Sequence, residues 1–403
     1  MKYLFVLSKY GDDIQTNGLV LSSVLHEMRK DGNEVVCLSE SDTVKAYDYQ
    51  GVQVYTIKQG LHSTLLKKEK LLGRFIEFLL ECVFYFSYPS YDKPAEKRMY
   101  HRICELNQRY HFDCIYAVYR RYTNVGAVLK FKKRYPASKC GVLFLDLLEA
   151  VRPRLFTKHH YSMICRKLYR RIGNTADKVF VPNDGKRECW DLLPESKREM
   201  LYYPGFIRRR NIRAAGSGTA DKGRKIVMIF AGTLNTAYRN PTPLFEVLKE
   251  LKVLGYKVTM KLYVKGNCNS LIEKAKTCMH IDIIQKELID KEQLLTEYQY
   301  ADVLINLSNH MIKATPSKVF ELLSTGKPVL NFVFDQDDST KAYFDQYIMA
   351  HSIFAYEDIA GQMKELEAFL ENAHDLTEEE YSVVESRFEN YTPYQVYQSI
   401  RNM

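Results

Sequence analysis

The sequence has little that would anchor or export the chain. No apolar run reaches the roughly 18–20 residues that cross a bilayer. The first residues, Met1-Lys2-Tyr3-Leu4-Phe5-Val6-Leu7, carry one basic residue before a short apolar run. That pattern predicts a first buried strand and not a secretory signal. We therefore expect neither membrane spanning nor export, and a cytoplasmic location.

The nine cysteines contain no CxxC pair, and their odd number cannot close into a complete set of disulfides. Scattered thiols without a CxxC pair indicate a reducing compartment and argue against a zinc site. No Asp-x-Asp motif stands at a suitable strand end. We expect no metal and no cofactor.

The charge is mildly basic. Fifty-eight Lys and Arg against 49 Asp and Glu give a net charge of +9. This balance favours phosphorylated ligands or an anionic surface, but is too small to indicate nucleic acid.

Short apolar strands alternate with helical stretches, which predicts βαβ units and parallel sheets covered on both faces. The predicted strands of the first half are Tyr3–Leu7, Glu34–Leu38, Cys114–Val118, Gly141–Leu145 and Lys178–Val181. Those of the second half are Ile226–Phe230, Val258–Val264, Val303–Leu307 and Val329–Phe334.

A charged, then small and flexible stretch separates the two halves. We predict a first domain over 1–205, a linker over 206–224 and a second domain over 225–380. A helix over 381–403 is expected to pack back towards the first domain. The fold class is therefore α/β, with two Rossmann-like domains whose parallel sheets face a cleft.

The most informative motif runs from Ala314 to Leu330 (ATPSKVFELLSTGKPVL). Thr315 suits a helix N-cap, Pro316 the first helical position, and Gly326 the helix end. The free N–H groups of Ser317 and Lys318, with the lysine ammonium, predict an anion site. One turn on, Glu321 could accept hydrogen bonds from ribose hydroxyls. The alternative is a capped helix with a solvated lysine and glutamate.

This stretch resembles the Pro-Ser-Lys-x-Phe-Glu-x-x-x-x-Gly-Lys-Pro-Val signature of retaining glycosyltransferases of the family-4 type, which have the GT-B fold. The resemblance implies that Glu321 holds the donor ribose, as the second of two glutamates in that family. The position of the first glutamate is Lys313 here.

A second stretch, Ala231-Gly232-Thr233-Leu234-Asn235-Thr236-Ala237-Tyr238-Arg239-Asn240-Pro241, follows a predicted strand. It is similar to the family's Gly-Arg-Leu…Lys-Gly loop, which binds the donor diphosphate. Gly232 matches, Thr233 replaces the arginine, and Arg239 replaces the lysine if the loop is one residue longer. Arg239 could bridge two phosphate oxygens with its planar fork. The alternative is a surface loop arginine.

Three weaker matches complete the expected site. Leu288 lies in a segment similar to the one that holds the nucleobase. Asn17-Gly18 opens a helix after the first strand, like the family's glycine loop near the diphosphate and acceptor. Asp146 follows a predicted strand and could serve as acceptor base, or else as an N-cap or salt-bridge residue. We predict that Asp146 acts as the acceptor base or positions the acceptor hydroxyl, whereas Arg239, Lys318 and the helix N-terminus stabilise the charge on the leaving diphosphate.

The segment 65–88 combines Lys67, Lys68, Lys70 and Arg74 with a dense apolar stretch too short to span a bilayer. It could lie in the headgroup interface of an anionic membrane. The alternative, which the pattern favours slightly, is a domain helix whose apolar face is core.

The resemblance implies a glycosyltransferase that moves a sugar from a nucleotide diphosphate sugar, expected to be UDP-linked, to a glycan or lipid-linked acceptor in cell-surface polysaccharide synthesis. It would be peripheral on the inner face of the plasma membrane and bind no nucleic acid. Two alternatives stay open: a non-catalytic nucleotide-sugar-binding subunit, and a 2-epimerase of the same fold. Donor hydrolysis would distinguish an enzyme from the first, and exchange of the C2 hydrogen would reveal the second.

Overall fold

The structure is a computed structural model of the 403-residue chain. It describes residues 1–11, 16–59, 82, 89, 92–150, 152, 155–183, 187–207, 225–309, 318–401 and 403. These form two compact units. The first comprises Met1–Pro204 with Asn390–Met403, and the second comprises Gly205–Glu389.

The first unit contains an eight-stranded sheet with helices on both faces. Its strands are β1 (Lys2–Val6), β2 (Glu34–Ser41), β3 (Ala46–Tyr49), β4 (Val52–Lys58), β5 (Cys114–Tyr119), β6 (Lys139–Phe144), β7 (Lys178–Pro182) and β8 (Arg198–Leu201). The order is β3-β4-β2-β1-β5-β6-β7-β8, and every neighbouring pair is parallel except β3 with β4.

The described helices of this unit are α1 (Thr16–Lys30), α2 (Lys93–Tyr110), α3 (Tyr122–Arg134), α4 (Lys158–Thr175), α5 (Arg187–Trp190) and, from the end of the chain, α13 (Pro393–Arg401). Alternate residues of β1 point to opposite faces. Leu4 and Val6 join the core beneath α2, α3 and α4, whereas Tyr3 and Phe5 join the core beneath α1 and α13. The sheet therefore separates two helical layers.

The second unit contains a six-stranded, fully parallel sheet. Its strands are β9 (Lys225–Leu234), β10 (Lys257–Gly266), β11 (Asp282–Lys286), β12 (Val303–Leu307), β13 (Val329–Val333) and β14 (Ala350–Phe354). The helices are α6 (Thr242–Val253), α7 (Asn269–Cys278), α8 (Lys291–Gln299), α9 (Lys318–Leu323), α10 (Lys341–Phe344), α11 (Ile359–Asn372) and α12 (Glu378–Arg387).

The second sheet has the strand order β11-β10-β9-β12-β13-β14. Counted from β9 as the first strand, this is the doubly wound order 3-2-1-4-5-6. The strand order reverses between β9 and β12, where ligands of such sheets bind at the carboxyl edge. All five residues of β12 are buried, as a parallel strand covered on both faces requires.

The predicted α/β class with two parallel sheets is confirmed. The sequence analysis missed β3, β4, β8, β11 and β14. All but β4 are the end strands of their sheets, where short strands with half-exposed residues give a weak apolar signal. Helix α9 ends at Leu323, and Gly326 follows with a φ of +72°, a conformation that favours glycine.

The end of the chain contains two helices. The capping box of Thr377 and Glu380 begins α12 in the second unit. In the first unit α13 packs on α1, where the Tyr397 hydroxyl donates to Asp31 at 2.9 Å.

Several predictions lie outside the described residues. They concern Lys313, Thr315, Pro316 and Ser317, the linker from 208 to 224, and nearly all of segment 65–88. These stay predictions.

Candidate functional site

A cavity of about 510 Å³ opens at the carboxyl edge of the second sheet. Phe230, Ala231 and Gly232 of β9 form one side, and Ile305, Asn306 and Leu307 of β12 form the next. The cavity therefore lies where β9 and β12 meet, at the reversal of strand order. The remaining lining residues come from later loops and helices: Arg239, Leu288, Ile289, Lys291, Leu294, Asn309, Lys318 and Glu321.

Arg239 reaches this cavity because the loop after β9 folds back on itself. The backbone N–H of Asn235 donates to the Arg239 carbonyl at 3.0 Å, and the Arg239 N–H donates to the Asn235 carbonyl at 2.9 Å. Asn267 braces the tip, since its Oδ1 accepts from the Thr236 N–H at 3.0 Å. The loop is thus held by its own hydrogen bonds, and Arg239 has a fixed backbone.

The Arg239 guanidinium is a largely buried cation. Burial lowers its pKa from the ordinary arginine range, although the group stays protonated. Within the described part of the chain no carboxylate forms an ion pair with it, and its Nε is buried without a hydrogen-bond partner. One long contact joins Nη1 to the Thr233 carbonyl at 3.5 Å. A buried cation left in this state favours an anionic ligand.

Lys318 and Glu321 line the same cavity and pair with each other. The lysine Nζ lies 2.6 Å from the glutamate Oε1, with side chains 28% and 18% exposed. The ammonium also lies 5.4 Å from the centre of the Tyr298 ring. The two side chains are thus held within reach of one ligand.

An apolar wall faces these polar groups. Leu294 of α8 is buried, Ile289 lies near it, and Leu288 is exposed at the rim. Asp290 caps α8 by accepting from the Gln293 N–H at 2.9 Å, which fixes the first turn that carries Lys291. A flat aromatic or heterocyclic group fits an apolar wall beside a cationic end.

Three polar lining residues were missed by the sequence analysis: Lys291, Asn306 and Asn309. Asn306 is buried near the carboxyl end of β12, and its Nδ2 donates to Asn331 Oδ1 of β13 at 2.8 Å. The Oδ1 atom of Asn309 is buried with no hydrogen-bond partner among the described residues. A polar residue inside an otherwise apolar strand was the available signal for Asn306.

The structure brings together five residues that the sequence singled out: Gly232, Arg239, Leu288, Lys318 and Glu321. Thr233 stands next to Gly232 but does not line the cavity. The roles of these residues in ligand binding stay predictions.

The other candidates belong to the first unit. Gly18 is buried in the first turn of α1, next to Asn17. Asp146 is exposed beyond the carboxyl end of β6. Burial and the charge of Arg121 lower the pKa of Arg120, and Asp146 opposes that shift. Asp146 therefore lies near an arginine pair at the carboxyl edge of the first sheet.

Two kinds of feature are absent from the described residues. They contain no group of three or more His, Cys, Asp or Glu side chains placed to hold a metal ion. In the same ranges no helix is both long and apolar enough to cross a membrane.

Solved structures of glycosyltransferases resemble the chain over nearly its full length. A sucrose-phosphate synthase from Thermosynechococcus elongatus has a TM-score of 0.62 at 11% identity, covering 99% of this chain and 98% of that one. The lipopolysaccharide outer core galactosyltransferase WaaB has the same TM-score and identity, covering 100% and 98%. An α,α-trehalose-phosphate synthase (UDP-forming) from Burkholderia vietnamiensis has a TM-score of 0.58 at 8% identity, covering 100% and 98%.

No protein-family model and no curated protein matches the sequence. At such low identities the structural likeness shows the fold alone. The first unit contains a sheet of mainly parallel strands, and the second contains a doubly wound parallel sheet. Together with these structural neighbours, this shows that the chain has the GT-B fold of nucleotide-sugar glycosyltransferases.

Proposed function

We propose that the chain is a glycosyltransferase that binds a nucleotide diphosphate sugar, UDP-linked, in the cavity of its second unit. The observation that carries the proposal is Arg239, a largely buried guanidinium with no carboxylate partner among the described residues. It lies at the point of the sheet where ligands of doubly wound folds bind. A diphosphate supplies the negative charge and the paired oxygens that a guanidinium binds best.

The rest of the cavity suits the other parts of such a ligand. Lys318 adds a second cation for the diphosphate, and Glu321 supplies a hydrogen-bond acceptor for ribose hydroxyls. The apolar wall of Leu288, Ile289 and Leu294 accommodates the base. The volume of about 510 Å³ falls in the range of small-molecule sites, roughly 300–1,000 Å³.

The same cations would act in the reaction. Negative charge builds up on the leaving diphosphate as the bond to the sugar breaks, and Arg239 and Lys318 are placed to stabilise it. In this proposal Arg239 and Lys318 stabilise the negative charge of the leaving diphosphate, and no metal or cofactor is required. Asp146 in the first unit is proposed to position the acceptor hydroxyl or take its proton. Retention of the anomeric configuration follows from the family resemblance and is part of the proposal.

The acceptor in this proposal is a glycan or a lipid-linked glycan of cell-surface polysaccharide synthesis, reached at the inner face of the plasma membrane. One structural neighbour is named as a lipopolysaccharide outer core galactosyltransferase, and lipopolysaccharide is a glycan of the cell surface. The mildly basic composition agrees with an acceptor held at an anionic surface.

Calorimetric titration of the full chain with UDP and with UMP tests the donor site. We expect UDP to bind and Arg239→Ala to weaken it by about 1.5–3 kcal/mol, or roughly 10- to 150-fold, the range for a charged hydrogen bond. The affinity for UMP, which lacks the second phosphate, should fall less in Arg239→Ala than the affinity for UDP. Lys265→Ala is the matched control, because Lys265 is exposed at the end of β10 outside the cavity. UDP affinity that is equal in wild type and Arg239→Ala would contradict the site.

Slow hydrolysis of UDP-sugars by the purified protein tests the activity. We expect one UDP-sugar to be hydrolysed faster than the others, with the released sugar keeping its anomeric configuration in a proton NMR time course. Binding without any turnover would support a non-catalytic subunit. Exchange of the C2 hydrogen with solvent would support an epimerase.

A further inference from the structure

The first unit has a strong charge asymmetry between its two helical faces. Helices α2, α3 and α4 carry five, four and five Lys or Arg residues, against two Glu in α2 and no acidic residue in α3 or α4. On the opposite face, α1 and α13 together carry three basic residues and one acidic residue. We call α2, α3 and α4 the basic layer.

The net positive charge of the basic layer exceeds that of the whole chain. Its 14 basic and two acidic residues give a net charge of +12, whereas the entire sequence has +9. All other residues therefore sum to −3. The mild overall charge results from one strongly basic face and a slightly acidic remainder.

Most of this charge faces solvent. Twelve of the 14 basic side chains are exposed. Of the other two, Lys132 pairs with Asp177 at 2.8 Å and Arg102 pairs with Glu105 at 2.7 Å. The exposed members of the layer are Lys93, Lys97, Arg98, Arg109, Lys130, Lys133, Arg134, Lys158, Arg166, Lys167, Arg170 and Arg171.

The three helices lie side by side and present a broad surface. Helix α3 contacts both α2 and α4, and the layer packs on the strands from β4 to β7. An 18-residue helix is about 27 Å long, and neighbouring helix axes are about 9 Å apart. The charge is therefore spread over an area wider than one small ligand.

Two apolar side chains are exposed in the same layer. Met163 of α4 is 45% exposed, and Tyr135, which directly follows α3, is 39% exposed. Basic residues that surround a few exposed apolar groups fit the headgroup region of a bilayer. A single exposed aromatic is too few to stack successive bases of a nucleic acid strand.

We propose that the basic layer docks the first unit on an anionic lipid surface. Phosphate groups of the lipid would neutralise the exposed lysines and arginines, while Met163 and Tyr135 enter the interface. The proposal concerns the first unit, and nothing in it depends on Arg239 or on nucleotide. Its failure would leave the donor site unaffected, although the proposed lipid-linked acceptor would lose support.

Vesicle sedimentation of the full chain without nucleotide tests this docking. We expect the wild type to sediment with vesicles of phosphatidylglycerol and phosphatidylcholine, to ignore vesicles of phosphatidylcholine alone, and to dissociate in high salt. The layer variant is Lys133→Glu, Lys167→Glu and Arg170→Glu, which should bind the anionic vesicles roughly 100-fold more weakly or worse.

The matched control is Lys257→Glu, Lys274→Glu and Lys364→Glu, three exposed lysines of the second unit. Both triple variants change the net charge by the same amount, so only the position of the charge differs. The control should keep vesicle affinity within a few-fold of wild type. If the layer variant fails to fold, the corresponding Gln variant replaces it, with a loss of about 100-fold still expected.

Three outcomes would overturn the proposal. In the first, the wild type does not sediment with anionic vesicles at low salt. In the second, both triple variants weaken vesicle binding equally. In the third, wild type would bind a single-stranded oligodeoxynucleotide but not the vesicles, and the basic layer would then serve a polyanion in solution.

Discussion

The Nζ atom of Lys318 lies 2.6 Å from Oε1 of Glu321, one turn along α9, and both side chains line the cavity of the second unit. The sequence assigned these residues to different parts of one ligand, phosphate for the lysine and ribose for the glutamate. In the structure they neutralise each other. A ligand that engages both must replace this ion pair with contacts of its own, and the pair itself adds no net charge to the cavity.

Glu321→Gln should change affinity for phosphate and for ribose in opposite directions. Without the carboxylate, Lys318 loses its ion pair with Glu321, so pyrophosphate should bind more tightly, by about 0.5–1 kcal/mol. Ribose hydroxyls lose a charged acceptor, so the preference for UDP over its 2′,3′-dideoxy form should fall by up to about 1.5–3 kcal/mol. Calorimetry with the three ligands measures both effects.

The control for this pair is Glu273→Gln. Glu273 pairs with Lys276 at 2.8 Å with the same spacing in α7, but outside the cavity. It should leave all three affinities unchanged. An undiminished ribose preference in a folded Glu321→Gln protein would remove Glu321 from the ligand site.

Arg239→Met should separate binding from stability. Methionine keeps much of the apolar bulk and removes a buried charge that no described carboxylate compensates. A buried charge that is kept for ligand binding lowers the stability of the ligand-free protein. Its removal should therefore raise the free energy of unfolding without ligand by about 0.5–2 kcal/mol, while UDP affinity falls. Urea denaturation of ligand-free protein measures this. A clear loss of stability would mean that Arg239 is a structural residue.

Gly232→Ala should fold and bind nucleotide poorly. A methyl group there would lie 3.7 Å from Arg239 Nη1 and 3.3 Å from the Phe230 ring, so the chain can accept it with a small shift. It would occupy space in the cavity beside the guanidinium. We expect a weaker UDP affinity with a nearly unchanged melting temperature. A drop in melting temperature with unaltered UDP affinity would place the methyl group in the core.

Asp375→Ala should destabilise the second unit without affecting the site. Asp375 accepts from the buried Lys327 ammonium at 2.8 Å, and Lys327 also donates to the Gln299 carbonyl at 3.0 Å. Loss of the carboxylate leaves a buried charge unbalanced, which costs about 3–5 kcal/mol. Asp345→Ala removes a partner of the exposed Lys341 and should cost under about 1 kcal/mol. Equal losses in the two variants, measured by urea denaturation, would refute the buried-pair account.

His374 should give α12 a pH-dependent contribution to stability. The Asn372 carbonyl and Glu380 raise the pKa of His374, and the Thr377 N–H and His374 lower the pKa of Glu380. A raised histidine pKa stabilises the fold fully below about pH 6.5, and the contribution is lost as the pH rises through the folded value. His374→Gln should therefore lower the melting temperature at pH 6 and not at pH 9. A difference that is the same at both pH values would contradict this assignment.

The sequence by itself determined the alternation of strands and helices, because continuous apolar runs and amphipathic patterns are local properties. It also determined the turn at Gly326, where a positive φ favours glycine. It did not distinguish the two lysines of the signature. Lys318 lines the cavity, whereas Lys327 is buried in an ion pair with Asp375, and only long-range packing decides between these outcomes.

Tertiary structure alone decided the composition of the candidate site. Arg239 and Lys318 are 79 residues apart in the sequence and line one cavity because β9 and β12 are neighbours in the sheet. Asn306 joins them because β12 ends at the same edge. The basic layer likewise exists only after three helices separated in the chain pack on one face of the first sheet. Side chains distant in sequence act together only when the fold fixes their distances, and composition carries no information on those distances.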